Sequence, residues 1–432
     1  MSALARYFVR LGKTVAGYDR TESPLTRALE SEGVSLHYQD RVADIPPAFL
    51  REEGTLVVYT PAVPPNHSEL NYFMRAGYDV RKRAEVLGLV SENTRCLAVA
   101  GTHGKTTTSS ILAHLLREAG LEITAFLGGV SEDFGSNFFM EGAGITVVEA
   151  DEFDRSFLWL HPEVACITSM DADHLDIYGS GEALQASFAA FARQVRPEGK
   201  LLVCNGLPSD GITYGIDDDA DYCIRNVRVI AGCYHFDIAT PEATYTGVRF
   251  CKPGRHNLLN ALAAFAVALQ VTDNIKGLLE GLATFRGVQR RFSYRIASDD
   301  LIYIDDYAHH PTEIDAVYQA IQEMHPGKKV LAVFQPHLYS RTRDFGPEFA
   351  RSLSRFDETW LMDIYPAREL PIEGIDSQWL LSLMDTPHKK WVSKDQLIEE
   401  IKKASPQVLV TMGAGDIGLQ AQPIQKALSH AS

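Results

Sequence analysis

Leu97-Ala98-Val99-Ala100-Gly101-Thr102-His103-Gly104-Lys105-Thr106-Thr107-Thr108 joins an apolar run, a short turn with two glycines, and a lysine that opens a hydroxyl-rich segment. The order predicts a buried strand feeding a helix through Leu112, Leu115 and Leu116, with the turn's N–H groups pointing inward. Such a turn cradles phosphate, because a helix N-terminus combines unsatisfied donors with a partial positive charge. Lys105 is then placed for the β- and γ-phosphates, and Thr106 for magnesium. The spacing is tighter than in the common phosphate loop, which carries a glycine five residues before Gly104, where this chain has Val99.

Working outward, 432 residues suffice for two to four domains. A hydrophobic content of 45% and a charged content of 22% are those of a globular chain. A formal net charge of -15 argues against nucleic acid as a partner, though a phosphate site needs only a few local cations. No apolar run is long enough to cross a bilayer and the N-terminus lacks signal-peptide order, so the reading is cytoplasmic, with no membrane partner. The six cysteines form no C-x-x-C pair and no framework spacing, and are read as free thiols in a reducing compartment.

Residues 1–90 alternate short strands with helical stretches, as a parallel-sheet domain does. Met1 to Gly12 has helical spacing and closes on a glycine, and Thr14 to Asp19 reads as a strand ending in an acid. In a nucleotide-binding βαβ unit a first strand and Gly-rich turn precede that helix. Neither stands before Met1, so the expectation is an N-terminally truncated domain. Gly54 to Ala62 is a strand running into a Pro-broken loop, where ligands sit in such sheets.

Residues 91–292 form a second unit. Ile145 to Glu152 is a strand ending in Glu149, Asp151 and Glu152, and Val164 to Asp171 is another, ending before Asp173-His174. Oxygen and imidazole ligands delivered beside a phosphate loop make a magnesium site. Gly254-Arg255-His256-Asn257 and Asn260 open an Ala-rich helix, which Asn257 or Asn260 could simply cap. Residues 293–432 form a third α/β unit, with one strand ending in Asp305-Asp306-Tyr307-Ala308-His309-His310-Pro311-Thr312-Glu313 and the next running into Gln335-Pro336-His337, then Ser340-Arg341-Thr342-Arg343. Gly413, Gly415 and Gly418 match G-x-G-x-x-G. The acidic ribose partner expected about twenty residues on would fall past the last residue, so a tight turn with close helix packing is the better reading.

Taken together and in order, the loop from Gly101 to Thr107, Glu149 to Glu152, Asp173-His174, Gly254 to Asn260 and Asp305 to Glu313 resemble the signatures of the Mur ligase family of peptidoglycan synthesis. The resemblance covers nearly the whole chain. It implies an α/β fold of three domains: an N-terminal Rossmann-like domain for a UDP-sugar, a central phosphate-loop ATPase-like parallel sheet for ATP, and a C-terminal Rossmann-like domain for the amino acid. It implies ATP and Mg2+ as cofactors and an ADP-forming ligation through an acyl phosphate. The Gln335-Pro336-His337 and Ser340 to Arg343 cluster is closest to members that join L-alanine to the lactyl carboxylate of UDP-N-acetylmuramate. The alternatives are attachment of a whole tripeptide to the same sugar nucleotide, or a catalytically impaired, truncated form that only binds it.

Carried over residue by residue, the resemblance makes Lys105, Glu149, His174 and His309 catalytic. It gives the nucleotide to Gly101, Thr102, His103, Gly104, Lys105, Thr106 and Thr107, to His256, Asn257 and Asn260, and to Arg291, Asp306 and Tyr307. Metal falls to Thr106, Glu149 and His174, and the substrate carboxylate to Arg341 with Arg343 near it. Related ligases often have an arginine where this chain has Leu338, so the grip on the amino acid differs here.

Overall fold

Apolar runs four to six residues long become strands buried on both faces, and the polar residues that follow them collect at one edge of each sheet. The computed structural model describes residues 1–171, 178–367 and 369–429. The chain divides into two compact units, one of residues 1–225, 237–248 and 260–285, the other of residues 226–236, 249–259 and 286–432.

In the first unit, α1 (Ser2–Arg10) is the predicted opening helix, and Gly12 follows it in the left-handed region. Strand β1 (Ala16–Tyr18) pairs in parallel with β2 (Ser35–His37), and β3 (Leu56–Tyr59) with β4 (Asp79–Lys82). The apolar face of α1 packs Leu4, Tyr7 and Phe8 into a core shared with Phe126 and Phe138.

The large sheet contains β5 (Arg95–Ala100), β6 (Ile123–Ser131), β7 (Ser136–Met140), β8 (Ile145–Glu149), β9 (Val164–Ile167), β10 (Lys200–Cys204), β11 (Ile212–Ile216), β12 (Tyr222–Ile230), β13 (Cys233–Ala239) and β14 (Thr244–Phe250). Its order is β14-β13-β12-β11-β10-β9-β5-β8-β6-β7. β5 runs parallel between β8 and β9, with Val99 opposite Glu149 and Ala100 opposite Ile167. That register brings three strand ends level, so whatever follows each strand meets its neighbours. Helix α2 (Lys105–Glu118) leaves the end of β5, and its small hydroxyl residues Thr106 to Ser110 are buried against the sheet with Ile111, Leu112, Leu115 and Leu116.

The second unit is built on β15 (Ser293–Ala297), β16 (Ile302–Asp306), β17 (Val330–Phe334), β18 (Glu358–Leu361), β19 (Lys389–Trp391) and β20 (Val408–Met412), in the order β15-β16-β20-β17-β18-β19. All pairs are parallel except the β15 edge. Ile302, Ile304, Ala332, Phe334, Val408 and Val410 pack on one face, while Tyr303, Leu331, Val333 and Leu409 pack on the other. Two covered faces explain why these strands read as continuous apolar runs rather than alternating ones.

The structure corrects two expectations. Cys233 and Cys251 are joined in a disulfide, so the free-thiol reading holds only for Cys96, Cys166, Cys204 and Cys223. Helix α3 spans Arg255–Ala268, which puts Asn257 and Asn260 inside it rather than at its cap. Among the described residues, no helix is long and apolar enough to cross a membrane.

Candidate active site

Two glycines set the shape of the loop after β5. Gly101 takes φ +133, and a Cβ there would lie 2.1 Å from the Thr168 hydroxyl. Gly104 takes φ +85 as the N-cap of α2, with Asn260 Oδ1 packed 2.5 Å from where a Cβ would be. Only glycine tolerates both demands. No side chain caps α2, and an uncapped helix start of this kind can receive an anion. The end of β9 buttresses the loop: Ser169 Oγ accepts from the His103 N–H at 2.7 Å, and the Thr102 hydroxyl donates to Asp171 O at 2.9 Å.

Lys105 folds back over this loop. Its Nζ donates to Gly101 O at 2.7 Å and lies 2.8 Å from Glu152 Oε2, whose side chain is fully buried. Burial alone would pull the ammonium down, but Glu152, Asp151 and Glu149 hold it above its ordinary value. Burial pushes the carboxyls of Glu149 and Glu152 up, against the opposing pull of Lys105. Glu149 accepts from the Thr106 hydroxyl at 2.9 Å and from the Gly128 N–H at 2.8 Å. A cavity of about 390 Å³ opens beside Glu149 and Asp151, lined also by Gly128, Thr60, Lys82 and Arg83. Its wall includes Asp154, which shares left-handed backbone with Arg155 and is held by Lys82 at 3.0 Å. The loop after β3 thus reaches a cavity, as its Pro-broken sequence suggests.

A second cluster forms where β16, β20 and β17 end. Asp306 accepts from the Phe292 N–H at 2.6 Å and the Ala308 N–H at 2.7 Å. Burial pushes its carboxyl up to about 6, with Arg291 and these two donors pulling the other way. Arg290 and Arg291 both lie over the Tyr307 ring. His309 places Nδ1 3.0 Å from Tyr307 O and 3.2 Å from Glu313 Oε2, at the start of α4 (Pro311–Met324). Its ring faces His337 at 6.1 Å, and His337 Nδ1 lies 3.4 Å from Arg341 Nη1 on α5 (Tyr339–Asp344). Leu338, between them, is held at φ +72, a conformation strained for a branched residue.

The chain is matched by three family models: "Mur ligase family, catalytic domain" over residues 1–95, "Mur ligase middle domain" over 99–268 and "Mur ligase, glutamate ligase domain" over 290–415. It is 55% identical to a UDP-N-acetylmuramate–L-alanine ligase of Flavobacterium johnsoniae, across 100% of this chain and 96% of the relative. The chain belongs to the Mur ligase family. A relative of the same description in Christiangramia forsetii is 56% identical over 100% of this chain and 95% of its own. The solved structure of the UDP-N-acetylmuramate-alanine ligase MurC from Thermotoga maritima is similar at a TM-score of 0.82 and 26% identity, covering 100% of this chain and 97% of that one. The three-domain α/β architecture expected from the sequence is therefore that of this Mur ligase.

Of the predicted site residues, the structure gathers Gly101 to Thr107, Glu149 and Asn260 in one unit. In the other it gathers Arg291, Asp306, Tyr307, His309 and Arg341, with His256 and Asn257 at the start of α3. Asn257 donates to Pro253 O at 2.6 Å. Arg343 turns away, about half exposed and paired with the adjacent Asp344. Asp173 and His174 lie outside the described residues. Among the described residues no three His, Cys, Asp or Glu side chains gather as a metal site. In the G-x-G-x-x-G segment, Cβ atoms at Gly413, Gly415 and Gly418 would strike Gln335, Tyr365 and Arg290, so this Mur ligase uses those glycines for close packing.

Sequence reasoning missed Glu152 as the partner of Lys105, and Thr168 and Ser169 as the loop's buttress. The signal for Glu152 was only that it is the second acid after β8. For the hydroxyls it was only their place after β9.

Proposed function

We propose that this Mur ligase catalyses ATP-dependent ligation of L-alanine to the lactyl carboxylate of UDP-N-acetylmuramate, releasing ADP and phosphate, in peptidoglycan precursor synthesis. The observation that carries the reading is identity of 55–56% over the whole chain to relatives described by that activity. The same reading assigns residues 1–90 to the sugar nucleotide, 91–292 to ATP and 293–432 to the amino acid, in a cytoplasmic enzyme.

A carboxylate is a poor electrophile, so it must be activated as an acyl phosphate before an amine can displace it. Lys105 and the first-turn N–H groups of α2 stabilise charge on the phosphoryl group as it transfers. Glu152 and the Gly101 carbonyl hold the lysine in the cradle, close to where phosphate oxygens would replace them. Thr106 and Glu149 fit magnesium: both are hard oxygen donors, 2.9 Å apart, on a carboxyl whose burial makes a cation welcome. When bound, that ion would neutralise phosphate charge. His174 remains a proposed ligand on the resemblance alone.

His309 is the group proposed to orient the alanine amine or take its proton. Tyr307 O and Glu313 both favour a proton on Nδ1, which leaves Nε2 as the accepting nitrogen. Arg341 offers a planar fork to the alanine carboxylate. His256, Asn257 and Asn260 are assigned to the adenine, and Arg291, Asp306 and Tyr307 to the rest of the nucleotide.

The test is phosphate release from ATP with UDP-N-acetylmuramate and, in turn, L-alanine, other single amino acids and the tripeptide. Release with L-alanine alone is expected. Release with the tripeptide alone would move the reading to the recycling ligase, and release with no acceptor would overturn it.

A further inference from the structure

The disulfide lies where a short loop connects β14 to the helix proposed to hold adenine. Along β13, Tyr234, Phe236 and Ile238 are buried, while Cys233, His235 and Asp237 lie on the opposite, half-buried face. Cys251 follows β14 directly, and its sulfur meets that of Cys233 on this accessible side. The next residues, Lys252-Pro253-Gly254-Arg255-His256, lead into α3. Tyr234, beside Cys233, accepts a hydrogen bond from the Gly254 N–H at 2.8 Å and donates to Glu323 of α4. The first two residues of β13 therefore tie this loop down twice, once by a covalent bond and once by a single neutral hydrogen bond.

The other cysteines are built differently. Cys96, Cys166 and Cys223 are buried. Burial pushes the thiols of Cys96 and Cys166 up to about 12 and that of Cys204 to about 11, which makes them poor nucleophiles. Disulfides in reducing compartments are usually transient rather than structural.

We infer that Cys233 and Cys251 are a reversible thiol–disulfide site, open to low-molecular-weight disulfides, whose state sets how firmly the loop into α3 is held. The thiolate of one cysteine attacks the small disulfide, forming a mixed disulfide and expelling one small thiol. The second cysteine's thiolate then attacks the protein sulfur of that mixed disulfide, and the other small thiol leaves. Two electrons and two protons pass from the cysteines to the reagent, which becomes two thiols. Opening the bond removes one of the two ties from β13 to this loop, so the loop's amides open more often. The consequence for ATP rests on the assignment of His256 and Asn257 to the nucleotide.

The full chain is equilibrated in oxidised or reduced glutathione, quenched, alkylated and mapped by mass spectrometry, with amide hydrogen exchange followed across residues 252–257. The expected result is protection of Cys233 and Cys251 alone in the oxidised buffer, reversed by dithiothreitol. Exchange over 252–257 should be roughly fivefold to tenfold faster in the reduced protein. Cys233→Ser should match the reduced form in both buffers. Full alkylation of both cysteines in the oxidised buffer overturns the site, and so does pairing with identical exchange. Alongside these, the KM for ATP should rise several-fold on reduction. An unchanged KM beside altered exchange would overturn the assignment of His256 and Asn257 to the nucleotide while leaving the thiol site standing.

Discussion

Around Lys105 charge is balanced by side chains, whereas around Asp306 it is held by the backbone. The ammonium of Lys105 lies against a fully buried Glu152, and Glu149 is anchored through Thr106 and the Gly128 N–H. Asp306 instead takes two main-chain N–H groups at 2.6 and 2.7 Å, and the nearby Arg290 and Arg291 stack on Tyr307. Both clusters grow where parallel strands end, the usual place for ligands in such sheets. The difference lies in what each can release. A lysine paired with an acid can exchange that acid for a phosphate, while a carboxylate clasped by the backbone stays fixed and orients what surrounds it.

The strongest way to break this contrast is Lys105→Ala. Turnover should fall by at least about 10³-fold, since one positioned charge on a transferring phosphoryl group is worth that much. The same change strands Glu152 in a dry site, at a cost of about 3 kcal/mol in urea unfolding. Lys105→Ala combined with Glu152→Gln should recover most of that stability and none of the turnover. Recovery of both would mean that the lysine serves the fold rather than the chemistry.

Glycines sharpen the comparison. Gly101→Ala must push a Cβ into Thr168 and the Ser169 N–H from φ +133, shifting the cradle itself. An ångström-scale displacement there should lower kcat/KM for ATP about 100-fold. Gly413→Ala meets a similar clash, with Gln335 O 2.7 Å from its Cβ at φ +145, but sits in a packing turn. Its cost should appear as about 2 kcal/mol of stability, with kcat/KM for ATP little changed. Equal kinetic losses at the two glycines would erase the distinction between a cradle and a turn.

The strands were legible because residues buried on both faces leave continuous apolar runs, and polar residues can collect only beyond them. Their apolar runs therefore fell into place from their neighbours alone, though β8 and β9 stop at Glu149 and Ile167, short of the Glu152 and Asp171 read as their ends. The partner of Lys105 did not. Glu149, Asp151 and Glu152 look equivalent in sequence, and only the packing of α2 against the strand ends separates them, with Glu149 on the Thr106 hydroxyl and the fully buried Glu152 on the Lys105 ammonium. The Cys233–Cys251 pair was hidden for a related reason: an 18-residue separation becomes a contact only once β13 and β14 lie side by side. Arg341, which the resemblance put ahead of Arg343, is buried on the short helix α5, while Arg343 pairs with Asp344.

That last pair gives a smaller test. Arg341 is buried beside His337, so Arg341→Ala should raise the KM for L-alanine roughly 50-fold, the loss of a charge-assisted fork on a carboxylate. Arg343, exposed and paired with its neighbour, should change the same KM by less than about twofold when made alanine. A large effect at Arg343 and none at Arg341 would reassign the carboxylate to the exposed side of α5.

The gentlest probe is pH, and it bears on the backbone-held acid alone. Burial raises the Asp306 carboxyl to about 6, whereas in the unfolded chain it titrates near its ordinary value of about 3.9. Between those values the folded protein binds more protons than the unfolded one, so this group's contribution to stability declines as pH rises through roughly 4 to 6. Above that window the cost is complete, about 3 kcal/mol at about 1.4 kcal/mol per unit. Asp306→Asn cannot titrate, and its amide oxygen can still accept one of the two N–H groups. Urea unfolding at pH 4.5 and pH 7.5 should therefore show the variant gaining on the parent as pH rises, by about 2 kcal/mol, the remainder of the cost being present already at pH 4.5. Parallel pH slopes for the two proteins would mean that Arg291 and the Phe292 and Ala308 N–H groups fully offset the burial, making Asp306 as well compensated as Lys105.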